Sequence, residues 1–204
     1  MLTANFLVPP ESSGSLYLMT ISLAGKMIAI LAANGFDERQ MTEIQRALTT
    51  AKAKFKTVAP ENGVVNGWQN DHWGHYFPVD APINEALGSD FDFLVIPGGE
   101  RAIAKLKTNL HTRRIVNHFL EAEKPIAAIS AGCALLALSG KAAGLMLAAP
   151  AEFHEELKAT GAQISENNLE ICGTVLTSDG EDSAAWVAAT MELFSEAERE
   201  LEAA

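Results

Sequence analysis

Pro125-Ile126-Ala127-Ala128-Ile129-Ser130-Ala131-Gly132-Cys133-Ala134-Leu135-Leu136 is a short apolar run that stops at a serine and resumes as an alanine and leucine pattern. Proline lacks an N–H and forces Lys124 before it into extended geometry, and the run that follows is too short for a lone helix. The stretch therefore reads as strand, tight turn and helix. Gly132 permits a backbone too close for a branched residue. An elbow of this kind lifts one side chain, here Ser130, to the edge of a sheet and aims free helix N–H groups at its neighbour.

Similar apolar runs lie on either side of this stretch. Residues 26–33 (KMIAILAA), 55–59 and 91–96 (FDFLVI) have the pattern of strands buried on both faces. Between the first two, Met41, Ile44, Leu48 and Ala51 recur at three- and four-residue steps, which gives an amphipathic helix. Further helices are expected over 110–122 and 150–160, with a last one that turns Trp186, Val187, Thr190, Leu193 and Phe194 inward. Residues 66–80 (NGWQNDHWGHYFPVD) read as a hairpin excursion with Asn66-Gly67 and Gly74 as its turn residues. Residues 169–172 and 174–177 read as two strands joined at Gly173. Strands alternating with helices predict an α/β domain, a parallel sheet sandwiched between helices. The expected division is an extension over 1–25, the domain over 26–195 and a charged tail over 196–204.

At 204 residues the chain is large enough for one continuous core. Its formal charge of −11 argues against nucleic acid, whose phosphates need a basic face. Cys133 and Cys172 lie in apolar segments without metal-ligand spacing, so neither a disulfide framework nor a zinc cluster is expected, and a reducing cytoplasm is the expected location. No apolar run reaches the ~20 residues of a membrane span. His72 and His75 have a spacing compatible with metal ligands but lack a third partner, and no cofactor motif is present.

In doubly wound sheets, ligands sit beyond the carboxyl ends of the strands where strand order reverses. That rule selects three loops: 34–38 with Gly35, Asp37 and Glu38; 97–100 with Gly98 and Gly99; and 130–133 with Ser130, Ala131, Gly132 and Cys133. The expected site is a small pocket floored by backbone N–H groups beside a carboxylate. The competing reading is that the glycines only make turns and that Asp37 or Glu38 only caps its helix.

The ordered set 27–31, Asn34-Gly35-Phe36-Asp37, 55–60, Val79-Asp80, 92–99, 124–132 and 175–178 resembles the ThiJ/PfpI superfamily, of class I glutamine amidotransferase-like fold. The segments 57–60 and 95–100 also resemble the C-terminal domain of large-subunit catalases. The resemblance implies a flavodoxin-like sheet, a homo-oligomer, and in catalytic members a cysteine in an A-x-C-H-G elbow paired with a glutamate of a G-F-E loop. Here Ser130 stands at the cysteine position, Ala131 at the histidine position and Asp37 at the glutamate position. A helix N-terminus contributes at most ~2 kcal/mol to a neighbouring anion, enough to help a thiol but far too little for an alcohol. The expectation is a non-catalytic homologue that keeps a small-molecule or anion pocket. The alternative is a hydrolase or a glyoxalase or deglycase-like enzyme using Ser130, or Cys133 one helical turn on, which is otherwise a small buried hydrophobe.

Overall fold

The computed structural model describes residues 21–203, with side chains described as far as Arg199. Seven strands form the central sheet, in the order β11-β12-β8-β7-β1-β3-β6. These are β1 (Met27–Leu31), β3 (Lys54–Ala59), β6 (Ala81–Pro82), β7 (Phe93–Ile96), β8 (Ile126–Ile129), β11 (Leu169–Cys172) and β12 (Val175–Ser178). All neighbours pair in parallel except β11 with β12. Taken in chain order, the five longer parallel strands run 2-1-3-4-5, the flavodoxin-like order, and the reversal lies between β1 and β7. β7 and β8 are wholly buried, as their unbroken apolar sequences require when helices cover both faces.

The helices are α1 (Glu38–Thr50), α2 (Glu100–Lys107), α3 (Leu110–Glu121), α4 (His154–Ala159) and α5 (Ser183–Ala203). α5 turns Trp186 and Phe194 fully inward, and Phe194 stacks on Phe93 with centroids 4.4 Å apart. Burying each such side chain contributes roughly 1.5–3 kcal/mol, which pins α5 to the sheet. The helix continues through the stretch expected to be a separate charged tail. Asp182 accepts a bond from Ala185 N at its start, and Glu198 pairs with Lys26 at 3.9 Å. At the other end, Leu23 is fully buried and its N–H donates to Ala51 O at 2.8 Å, so residues just before 26 belong to the core rather than to an extension. The rest of the expected extension, 1–20, lies outside the described residues.

A second, three-stranded sheet carries the excursion: β2 (Phe36–Asp37), β4 (Val64–Gln69) and β5 (His72–Pro78). Its turn is not at Asn66-Gly67 or Gly74. Asn70 and Asp71 take it, at φ 48° and 61°, the paired left-handed geometry that a two-residue hairpin turn demands. Gly67 and Gly74 lie within the strands, where a Cβ would fall 2.5 and 1.8 Å from Glu38 Oε2. They are glycines to admit that carboxylate. A small pair, β9 (Met146–Leu147) with β10 (Gln163–Ile164), completes the fold.

Candidate functional site

Ser130 follows β8 directly and has φ +55°, a left-handed conformation costing a non-glycine residue roughly 1–2 kcal/mol. The chain then winds through Ser130–Ser139 as a 3-10 run rather than the expected α-helix. Cys133 lies three residues further along this run. It has no exposure and donates to Ser178 O at 3.4 Å, and burial pushes its thiol up to about 12. Cys133 therefore does not reach the mouth of the elbow. Ala131 is buried as well, and Gly132 is needed for packing, since a Cβ there would fall 2.5 Å from Ile96 O.

The loops after β1 and β7 meet this elbow. Gly99, at φ +108°, is wedged so tightly that a Cβ would lie 2.4 Å from Gly35 O, while the space at Gly35 is filled by the Arg101 side chain. Asp37 does not supply the elbow's carboxylate. It caps α1, accepting from Gln40 N at 3.0 Å. Asp37 and Gln40 stand in the N-cap and N3 places of a capping box, but the box is only half closed. Asp37 N donates instead to Gly98 O at 2.9 Å, and Gly98 N donates to Gln40 Oε1 at 2.7 Å, docking α1 on the loop after β7. Gly98 lies between Gln40 and Ser130: a Cβ there would sit 2.9 Å from Gln40 Oε1 and 2.9 Å from Ser130 Cβ. Gly180, after β12, closes the other side, with its Cβ position 2.8 Å from Ser130 Cβ.

Ser130 thus packs between Gly98 and Gly180, with Gln40 on the far side of Gly98. Gln40 and Gly180 were not among the residues expected from sequence. The signal for Gln40 was the D-x-x-Q spacing of the capping box; Gly180 had none beyond following a strand. Of the expected set, the structure brings together Gly35, Asp37, Gly98, Gly99, Ser130, Ala131 and Gly132, but spends most of them on loop packing.

Glu38 faces away from the elbow, toward the hairpin. It accepts from His75 N at 2.7 Å, from the His75 ring and from Gln69 Nε2 at 3.0 Å. Burial acts to raise its pKa, but the His75 ring and backbone bonds and the nearby charges of His75 and His72 outweigh it and hold the carboxyl below its ordinary range. Arg101 lies over Trp68 at 4.2 Å, and Trp68 meets Trp73 edge to face. Of the remaining histidines, His154 Nε2 meets Ala149 O at 2.8 Å and His118 packs against Gly88. Among the described residues no group of three His, Cys, Asp or Glu is placed to hold a metal. A cleft of about 630 Å³ between Pro150, His154, Asn168, Asp179 and Glu181 borders the elbow only through the residues flanking Gly180, and Ser130 does not line it.

The model of the DJ-1/PfpI family matches residues 26–193. The chain belongs to that family. It is 29% identical over 132 residues to protein DJ-1 homolog D of Arabidopsis thaliana, an alignment covering 59% of this chain and 34% of that protein. The chain thus spans about a third of that relative's length. It is 24% identical to deglycase TK1284 of Thermococcus kodakarensis over 151 residues, 74% of this chain and 88% of that protein. The ThiJ/PfpI domain protein of Brachyspira murdochii shares the fold at 18% identity and a TM-score of 0.76, over 85% of this chain and 98% of that one. No helix among the described residues is long and apolar enough to cross a membrane.

Proposed function

We propose that this family member is non-catalytic and acts as a binding protein, with a small-molecule pocket at the Ser130 elbow. The observation that carries the reading is that, among the described residues, no histidine or carboxylate is hydrogen-bonded to the half-buried Ser130. A serine nucleophile needs a positioned base, and the polar side chain across Gly98 from Ser130 is the carboxamide of Gln40, which takes up no proton. Cys133, the other nucleophile in reach of the helix terminus, is buried and protonated at neutral pH. The ring of His154 is bonded to a backbone carbonyl and that of His75 to Glu38.

The test is turnover. Purified protein incubated with an α-oxoaldehyde or a glycated amine is expected to consume neither faster than a protein-free control. Consumption that disappears in Ser130→Ala would overturn the reading.

A second reading, a serine-dependent enzyme, draws on the strained backbone of Ser130, because such strain concentrates at functional sites, and on the deglycase among the relatives. The same experiment separates the two. The proposal extends to a cytoplasmic homo-oligomer; exposed Trp73 and Tyr76 on β5, at 51% and 71%, support self-association through the hairpin.

A further inference from the structure

We propose that the cleft flanking Gly180, apart from the elbow, binds a free α-amino acid with an aliphatic side chain. This goes beyond the reading of Ser130 and holds whether or not that serine is reactive. The cleft has a volume of about 630 Å³, within the range of small-ligand sites. Three parts of the chain wall it: α4 with the loop before it, the loop after β10, and the loop after β12.

The two loops hold a group of acceptors. Asp179 N donates to Asn168 O at 3.0 Å, Asn168 Nδ2 donates to Glu181 Oε2 at 2.8 Å, and Glu181 N donates to Asp179 Oδ1 at 3.0 Å. These bonds tie three lining residues together. The second also assigns the two ends of the Asn168 carboxamide, because a carboxylate only accepts. Asn168 Oδ1, Asp179 Oδ2 and Glu181 Oε1 are left without a donor among the described residues. An ammonium group carries three N–H donors and matches that number. Among the described residues no three His, Cys, Asp or Glu side chains are grouped to hold a metal, so these oxygens suit an ammonium better than a bare metal ion.

The opposite charge comes from α4. Lys158 lines the same cleft one turn on from His154, whose ring bond to Ala149 O fastens the preceding loop to the helix. Lys158 Nζ meets Glu155 Oε1 at 3.4 Å, but the two side chains are 53% and 91% exposed. A surface pair of that kind contributes at most ~1 kcal/mol, so the lysine is free to take a ligand carboxylate instead. Ala149, Pro150, Ala151 and Ile164 supply apolar lining for an aliphatic side chain. Glu166, the remaining carboxylate of the lining, favours the ammonium end and works against a simple acid. Acceptors for an ammonium, a lysine for a carboxylate and an apolar surface together describe an aliphatic amino acid.

The probe is L-leucine, titrated into ¹⁵N-labelled protein while the Asn168 side-chain amide and the Gly180 backbone amide are followed. Saturable shifts centred on the cleft are expected. 3-Methylbutylamine, which is leucine without its carboxylate, is expected to bind ~fivefold more weakly, the worth of an exposed ion pair. 4-Methylpentanoate, which is leucine without its ammonium, is expected to bind ~tenfold more weakly or less. Lys158→Gln is expected to lower leucine affinity ~fivefold and to leave that of 3-methylbutylamine unchanged, since only leucine has a carboxylate to lose. The comparison of the three probes on the unaltered protein stands even if that variant fails to fold. No saturable shift with leucine, shifts centred on Ser130 and Gly98 instead of the cleft, or equal binding of either analogue overturns the assignment. So does a Lys158→Gln protein that binds leucine as tightly as the wild type.

Discussion

Two side chains three residues apart, Ser130 and Cys133, differ in depth: Ser130 is half-buried, while Cys133 has no exposure. Their spacing suggests one helix face but gives no measure of depth, and depth decides. Desolvation holds the Cys133 thiol at about 12, against about 8.5 in the unfolded chain. The folded state therefore binds the extra proton between those values. The resulting stabilisation is complete below pH ~8.5 and is lost as pH rises toward 12, at up to ~1.4 kcal/mol per pH unit. Urea unfolding at pH 7.5 and 10 is expected to show a larger alkaline loss for the wild type than for Cys133→Ala, and equal losses would refute the burial argument. Alkylation of the native protein at neutral pH is expected to leave Cys133 unmodified, while the half-buried Ser130 position, changed to cysteine, reacts; peptide mass spectrometry distinguishes the two sites. Gln40 was harder to see. Its D-x-x-Q spacing announces a cap, but only the neighbouring loop reveals that its carboxamide crosses to Gly98 instead of folding back on its own helix.

The hairpin of β4 and β5 shows the same limit at the level of an element. Its existence is written in the alternating segments and turn residues of 64–78, yet the turn falls at Asn70-Asp71, because Gly67 and Gly74 are already committed to contact with Glu38. A contact between residues nearly thirty or more apart leaves no local trace that would separate a turn glycine from a packing one. Glu38 fastens the hairpin to α1 through His75 and Gln69, and Glu38→Ala leaves those donors unpaired. The expected cost is ~2–3 kcal/mol at pH 7, with a change in tryptophan emission as Trp68 and Trp73 lose their edge-to-face contact. Because the Glu38 carboxyl is held below its ordinary range, the stabilisation it gives is present above pH ~4.3 and is lost as pH falls through the depressed folded value. A variant as stable as the wild type at pH 7, with unchanged emission, would show that the fastening does not matter.

The architecture of the whole molecule was the most legible part, since buried strands such as 93–96 and 126–129 are apolar without interruption and the helices between them keep a 3.6-residue period. What composition could not supply was the junction of three loops at the strand reversal, where Gly35, Gly99 and Gly132 turn out to be packing glycines. The scaffold of the DJ-1/PfpI family is kept, and the side chain that crosses from α1 to the loop beside the elbow is the carboxamide of Gln40. If the hairpin joins subunits, Trp73→Lys with Tyr76→Lys is expected to lower the solution mass to that of a monomer, and an unchanged mass would remove the hairpin from any interface. The proposed absence of chemistry at the elbow is tested most directly by intact mass spectrometry after exposure to a fluorophosphonate, which phosphonylates activated serines with release of fluoride. No adduct at Ser130 beyond that formed on the denatured chain is expected; a stoichiometric adduct on the folded protein, absent from Ser130→Ala, would contradict the non-catalytic proposal.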